Sequence, residues 1–139
     1  MTAQAQCPLC HPVGEDLIWE DDFCRVILVN DLHYPSFCRV ILNRHTQEMT
    51  DLLPLERQRM MITVMKVETV LREVVQPDKI NLASFGNMVP HVHWHVIPRW
   101  QGDRHFPEPV WGPVQRENAV PPSVDLVTLK QRIISALVV

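Results

Sequence analysis

No stretch of this 139-residue chain is apolar for the roughly 18–20 residues that a membrane-spanning helix needs, which excludes a bilayer span on sequence grounds. There is no Lys/Arg-rich run either, and the formal net charge is −3 at pH 7. A generic nucleic-acid binder carries a basic stripe, so a nucleic-acid polymer is not an expected partner. The first six residues hold no basic cluster and no apolar segment follows them, so a secretory signal is not expected and the expected compartment is the cytoplasm. Internal repeats and low-complexity tracts are also missing, which argues against a solenoid. The length suits one domain spanning residues 1–139.

What the chain does have is twelve prolines that punctuate it into readable segments. Residues 17–20 and 23–29 are short β-prone runs separated by Asp21-Asp22, the pattern of a hairpin. Residues 39–42 give a third strand. The loop before it, Asn30-Asp31-Leu32-His33-Tyr34-Pro35, is rich in polar groups able to line a ligand site. From Pro54 to Gln76, the residues Met60, Val64, Val67, Leu71 and Val74 recur at steps of three and four, which predicts one long helix with Pro54 in its first turn and Pro77 ending it. Residues 81–85 read as a strand, Gly86-Asn87-Met88 as a turn, and residues 92–97 as a strand closed by Pro98. After a loop rich in proline and tryptophan, Ser123 is the expected cap of a last helix with an apolar stripe of Leu126, Leu129, Ile133 and Leu137. Mostly antiparallel strands with two helices make an α+β fold.

The most informative segment is His91-Val92-His93-Trp94-His95-Val96-Ile97. Three histidines at spacing two on a strand share one face, and Val92, Trp94 and Val96 take the other. Buried imidazoles need partners for their ring nitrogens, so three in strict alternation are a costly choice for packing alone. Two uses remain: ligands of a catalytic metal, or a nucleophile with flanking donors. The metal hydrolase is the weaker of the two, because no acidic residue stands between Asp78 and Asp103. A nucleophilic imidazole needs one nitrogen free and the other held by an acceptor, which a strand carbonyl can supply. The flanking rings are then expected to bond phosphate oxygens or protonate a leaving group, titrating near the ordinary value of about 6.5.

The pattern His-φ-His-φ-His-φ-φ, with φ apolar, resembles the signature of the histidine-triad (HIT) nucleotide hydrolases and transferases, and Pro98-Arg99 after it is similar to the branches acting on diadenosine polyphosphates and phosphoramidates. The resemblance runs over residues 7–99, through Val29-Asn30-Asp31, the Arg39 to His45 strand end and the long helix, and leaves residues 100–139 as a variable loop and C-terminal helix. It implies a five-stranded antiparallel sheet with one long central helix and a C-terminal helix, in a homodimer with a continuous sheet. It implies that His93 attacks the α-phosphorus of a dinucleoside polyphosphate, phosphoramidate or related nucleotide and forms a nucleotidyl-histidine that water resolves. His95, with His91 beside it, assists at the phosphate, Asn30 or Asp31 holds the ribose, and Asn87 is a weaker candidate for a phosphate contact. Arg99, just beyond the triad strand, is open to pairing with a phosphate or with a carboxylate across the sheet. Two departures stand out. Ser36-Phe37-Cys38 replaces the Gly-His pair that many relatives carry at the start of the middle strand, and Gly86-Asn87-Met88-Val89-Pro90 is shorter than the Gly-rich loop usual before the triad.

Cys7-Pro8-Leu9-Cys10 has the spacing that lets two thiolates share a zinc ion. The resemblance implies His45 and His91 as the other two ligands of a structural zinc, with no organic cofactor. The c-type haem reading of Cys7 to His11 requires an export route that the sequence does not show, and Cys24 and Cys38 alternate with apolar strand residues as core positions do. Trp94 is expected in the core. Trp100 and Trp111 are open to stacking on a base or covering a dimer interface, and His105-Phe106-Pro107 to closing over the site. A nucleotide-binding module with little catalysis and a zinc-dependent hydrolase are the competing readings.

Overall fold

The computed structural model describes residues 4–138. Five strands, β1 (Asp16–Glu20), β2 (Cys24–Leu28), β3 (Cys38–Leu42), β4 (Lys79–Ala83) and β5 (His93–Arg99), form one sheet in the order β1-β2-β3-β5-β4, every neighbouring pair antiparallel. Helix α1 (Pro54–Val74) follows a short 3-10 helix at Met49–Asp51, and α2 (Leu126–Leu137) ends the described chain. This is the α+β arrangement expected from the sequence. No helix among the described residues is long and apolar enough to cross a membrane.

Alternation along the strands sorts the sheet into two unlike faces. Val26, Val40, Val92 and Val96 point into the main core, where α1 brings Met60, Val64, Val67 and Leu71 and α2 brings Leu129, Ile133 and Leu137. Cys24 and Cys38 lie in this core, and burial pushes their thiols up to about 11 and about 12. Trp94 packs against the same core from a partly exposed position. On the opposite face stand Arg25, Ile27, Arg39, Ile41, His93 and His95, with Cys7 and Leu9 of the N-terminal segment packed over Ile27 and Ile41.

Local chemistry accounts for most boundaries. The β1–β2 turn is closed by Asp21, whose carboxylate accepts from the Phe23 and Cys24 backbone N–H groups at 2.8 Å each. Pro54 starts α1 where its missing N–H costs nothing, and Gln76 leaves the helix in the left-handed region at φ 53° before Pro77. Three expectations shift. Pro98 does not close β5: it sits opposite Ile80, beyond Cys38↔Val96 where the pairing with β3 ends, so its absent N–H removes no bond to β3 and the strand continues to Arg99. β4 lies two residues earlier than expected, because at Ser84 the hydroxyl, not the backbone ladder, bonds the His93 carbonyl at 2.7 Å. The cap of α2 is Asp125, which accepts from Thr128 N–H at 3.0 Å, and not Ser123.

Candidate active site and metal centre

β3 and β5 pair with Ile41 opposite His93 and Arg39 opposite His95, which fixes the two histidines on the face away from the helices. The Nδ1 of His93 lies 2.6 Å from the His91 carbonyl oxygen. A carbonyl only accepts, so Nδ1 carries the proton and Nε2 keeps its lone pair, with no hydrogen-bond partner among the described residues. Burial lowers the pKa of His93, the bond to the His91 carbonyl opposes that, and the positive charge of Arg39 lowers it further. Burial and the Arg39 charge thus favour the neutral ring, whose Nε2 lone pair is unused among the described residues.

His95 has the opposite tautomer. Arg39 donates from Nε to its Nδ1 at 3.3 Å, which makes Nδ1 the acceptor and leaves the proton on Nε2. The ring stands 5.1 Å from that of His93 and is walled by Trp111 at 4.9 Å, Phe37 at 5.6 Å and Phe85 at 6.3 Å between centroids. Burial, the Arg39 charge and the neighbouring His93 push its pKa down to about 3. The expectation that the flanking rings titrate near the ordinary histidine value is corrected here: His95 is a neutral Nε2–H donor and not a proton reservoir at neutral pH.

His91 belongs to a different group. Its Nε2 donates to the Leu42 carbonyl at 2.6 Å, which leaves the Nδ1 lone pair facing Cys7 Sγ at 3.4 Å, Cys10 Sγ at 3.5 Å and His45 Nδ1 at 3.2 Å. Cys10 Sγ is 3.2 Å from His45 Nδ1, and the four donor atoms all lie within 4.8 Å of one another. A turn in which Cys10 and His11 N–H both bond the Cys7 carbonyl turns the two thiols to one side. Zinc bonds of about 2.0–2.3 Å in a tetrahedron put ligand atoms roughly 3.3–3.8 Å apart, so the donor set and its spacing fit that ion. The Leu42 carbonyl supplies the outer contact that orients a metal-ligating imidazole. His11 is exposed and outside this group, which leaves the haem pattern without support.

The pattern of the HIT domain family matches residues 13–102. The chain belongs to the HIT family. Among solved structures it is similar to a histidine triad protein of Sinorhizobium meliloti 1021, at 30% identity with a TM-score of 0.71, covering 88% of this chain and 90% of that one. A zinc-bound histidine triad family protein of Mycobacterium smegmatis shares the fold, at 23% identity and a TM-score of 0.64 over 96% of this chain and 94% of the other. Among curated proteins, the AP-4-A phosphorylase of Mycobacterium tuberculosis (H37Rv) is 32% identical over 78 residues, 52% of this chain and 40% of that protein. The asymmetrical bis(5'-nucleosyl)-tetraphosphatase of Schizosaccharomyces pombe is 29% identical over 97 residues, 66% of this chain and 53% of that protein. The chain thus spans about half the length, or less, of these curated relatives.

In this HIT chain the three histidines divide by partner: His91 turns its Nδ1 to the cysteines, of which Cys7 packs over Ile41, while His93 and His95 stand beside Arg39. Asn30 and Asn87 are exposed in loops with no side-chain hydrogen bond among the described residues, while Asp31 caps its own turn by accepting from His33 N–H at 2.9 Å. Arg99 is not presented to a phosphate. It is buried, with Nε and Nη2 on the Asp103 carboxylate at 2.8 and 3.0 Å, Nη1 on Asn81 at 2.7 Å and Nη2 also on the Glu108 carbonyl at 2.7 Å. Burial alone would raise the Asp103 carboxyl, but Arg99 and the N–H groups of Trp100, Phe106 and His105 outweigh it and hold the carboxyl well below the usual range. His105 bonds the Tyr34 hydroxyl at 2.6 Å and stacks on that ring, so it braces the loop. The residue of this loop that reaches His95 is Trp111. Arg39 escaped the sequence reading, although its place two residues before Ile41 on an alternating strand puts it on the histidine face.

Proposed function

We propose that the chain is a nucleotidyl hydrolase or transferase acting on a dinucleoside polyphosphate, a nucleoside phosphoramidate or a related nucleotide. The observation that carries this reading is the His93 Nδ1–H bond to the His91 carbonyl, which in the neutral ring puts the proton on Nδ1 and leaves Nε2 free. His93 Nε2 forms a bond to the α-phosphorus as the bond from that phosphorus to the leaving group breaks, and the leaving group departs with the electron pair. Water then adds to the same phosphorus, the P–N bond breaks, and His93 is regenerated as its proton balance is restored to solvent. His95 donates Nε2–H to a non-bridging phosphate oxygen, where charge builds in both steps. Trp111 and Phe85, 4.9 Å apart and edge-to-face, offer a nucleobase an aromatic wall beside His95. Asn30, Asp31 and Asn87 remain candidates for ribose and phosphate contacts from the flanking loops. The names of the two curated relatives, a phosphorylase and a tetraphosphatase of such compounds, support the substrate class.

Cys7, Cys10, His45 and His91 would hold a structural zinc, which would pin the N-terminal segment to the end of β5. No step of the reaction involves it, because His93 is outside the donor set. The four free thiols suit a reducing compartment, the cytoplasm. The unpaired edge of β4 suits a homodimer with a continuous sheet. Diadenosine tetraphosphate turned over in ¹⁸O-labelled water tests the chemistry: one label is expected in adenosine monophosphate, with turnover lost in His93→Ala. Label in the adenosine triphosphate product instead would rule out attack at the α-phosphorus.

A further inference from the structure

Arg39 is the charged group on the histidine face that the chemistry above leaves unused. It stands opposite His95 in the β3–β5 register and two residues from Ile41, the partner of His93, so its side chain rises from the sheet beside both rings. Its Nε is committed to His95 Nδ1. A guanidinium has four more N–H donors, and those of Arg39 meet no acceptor among the described residues. No carboxylate among those residues is available to it. The acid whose field reaches it, Glu15, grips Arg25 through both oxygens at 2.8 and 2.9 Å. Arg25, on the same sheet face, therefore shows what a satisfied buried arginine looks like here, with the Leu9 carbonyl as its third acceptor.

A half-buried arginine without a counter-charge is costly, and burial indeed pulls the Arg39 pKa below its ordinary value. Arginine does not give up its proton at neutral pH, so an anion bound beside it would offset the cost. The planar fork suits phosphate oxygens, which accept two parallel N–H bonds from it. Building on the nucleotidyl-transfer reading, we propose that Arg39 is the cation that grips the substrate's phosphate chain beside His93, while its Nε holds His95 with the proton on Nε2. Phe37, also beside His95, offers that ring only an edge and no donor.

The test uses the full chain as isolated, with inorganic pyrophosphate and adenosine monophosphate as probes in titration calorimetry and ¹⁵N imidazole NMR. Arg39→Met is expected to weaken both ligands at least tenfold, as the loss of a charge-assisted hydrogen bond does. Arg39→Lys should restore most of the binding through its charge but not the His95 tautomer, which requires the Nε donor. A bystander arginine would move neither the affinity nor the His95 nitrogen shifts. Affinity in a folded Arg39→Met within twofold of the parent overturns the proposal, as does a parent protein that binds neither probe. If pyrophosphate binding depends on Arg39 but His93→Ala leaves turnover intact, the anion site stands and the reading of His93 as nucleophile falls.

Discussion

Replacing Asp103 by Asn should destabilise the protein far more than a one-atom change suggests. The carboxylate and the Arg99 side chain are 3% and 2% exposed, and the pair is tied further by the Tyr34 hydroxyl and by the Trp100, His105 and Phe106 N–H groups. A neutral amide in place of the carboxylate would leave the guanidinium buried without its counter-charge, and breaking such a pair from one side costs about 3–5 kcal/mol. Against the roughly 5–15 kcal/mol of net stability usual for a domain, that is a large share. An unfolding entropy of about 2.1 cal/mol/K per residue converts the loss into a fall in Tm of roughly 10–17 °C for a chain of this length. Thermal unfolding followed by circular dichroism at pH 7.5 reads it directly. Asp103→Asn combined with Arg99→Met should recover part of the loss, because the orphaned charge is gone. A Tm within 3 °C of the parent for Asp103→Asn alone would refute the reasoning. The site should suffer as well: the Glu108 carbonyl on Arg99 anchors the loop that brings Trp111 to His95, so nucleotide KM is expected to rise at temperatures where the variant is still folded.

Metal removal and acid probe other parts of the account. Chelation should lower Tm while turnover by the still-folded protein persists at low temperature, because His93 is not in the donor set; instant loss of turnover with unchanged Tm would place the metal at the reaction centre instead. Acid should destabilise the fold from about pH 6.5 downward. His95 takes up its proton near 6.5 when unfolded but at about 3 when folded, so the unfolded chain binds more protons throughout that window and stability falls with pH, by up to about 1.4 kcal/mol per pH unit for one such group. The Asp103 carboxyl, also held low, adds to the loss only below its unfolded value of about 3.9. A urea midpoint that rises between pH 6.5 and 5 would contradict both burial and tautomer assignments.

The parts of this structure written in local periodicity were readable in the sequence. Alternation in 24–28, 38–42 and 93–97 gives both faces of the sheet, and the three- and four-residue steps from Met60 to Leu71 give the buried stripe of α1. What resisted depends on residues far apart in the chain. Arg99 is open to a phosphate or a carboxylate partner until the 100–112 loop folds back and sets Asp103 and the Glu108 carbonyl on it. Ser123 and Asp125 are equally able caps, and the choice depends on where the chain after Pro121-Pro122 meets the core. His91 could not be separated from His93 by spacing alone, because the separation is made by the N-terminal turn that brings Cys7 and Cys10 across the sheet. Arg39 was visible only as a strand residue, since its meaning comes from the β3–β5 register and from Glu15 being committed to Arg25.

The central claim is that His93 Nε2 is the nucleophile, and the most direct measurement is the intact mass of the protein after brief, acid-free quenching with diadenosine tetraphosphate or adenosine 5'-phosphoramidate. An added adenylyl group is expected on the parent chain, accumulating in His95→Ala if resolution is slowed there, and absent from His93→Ala. An adduct that survives in His93→Ala, or nucleotide turnover in that variant at the parent rate, would contradict the account.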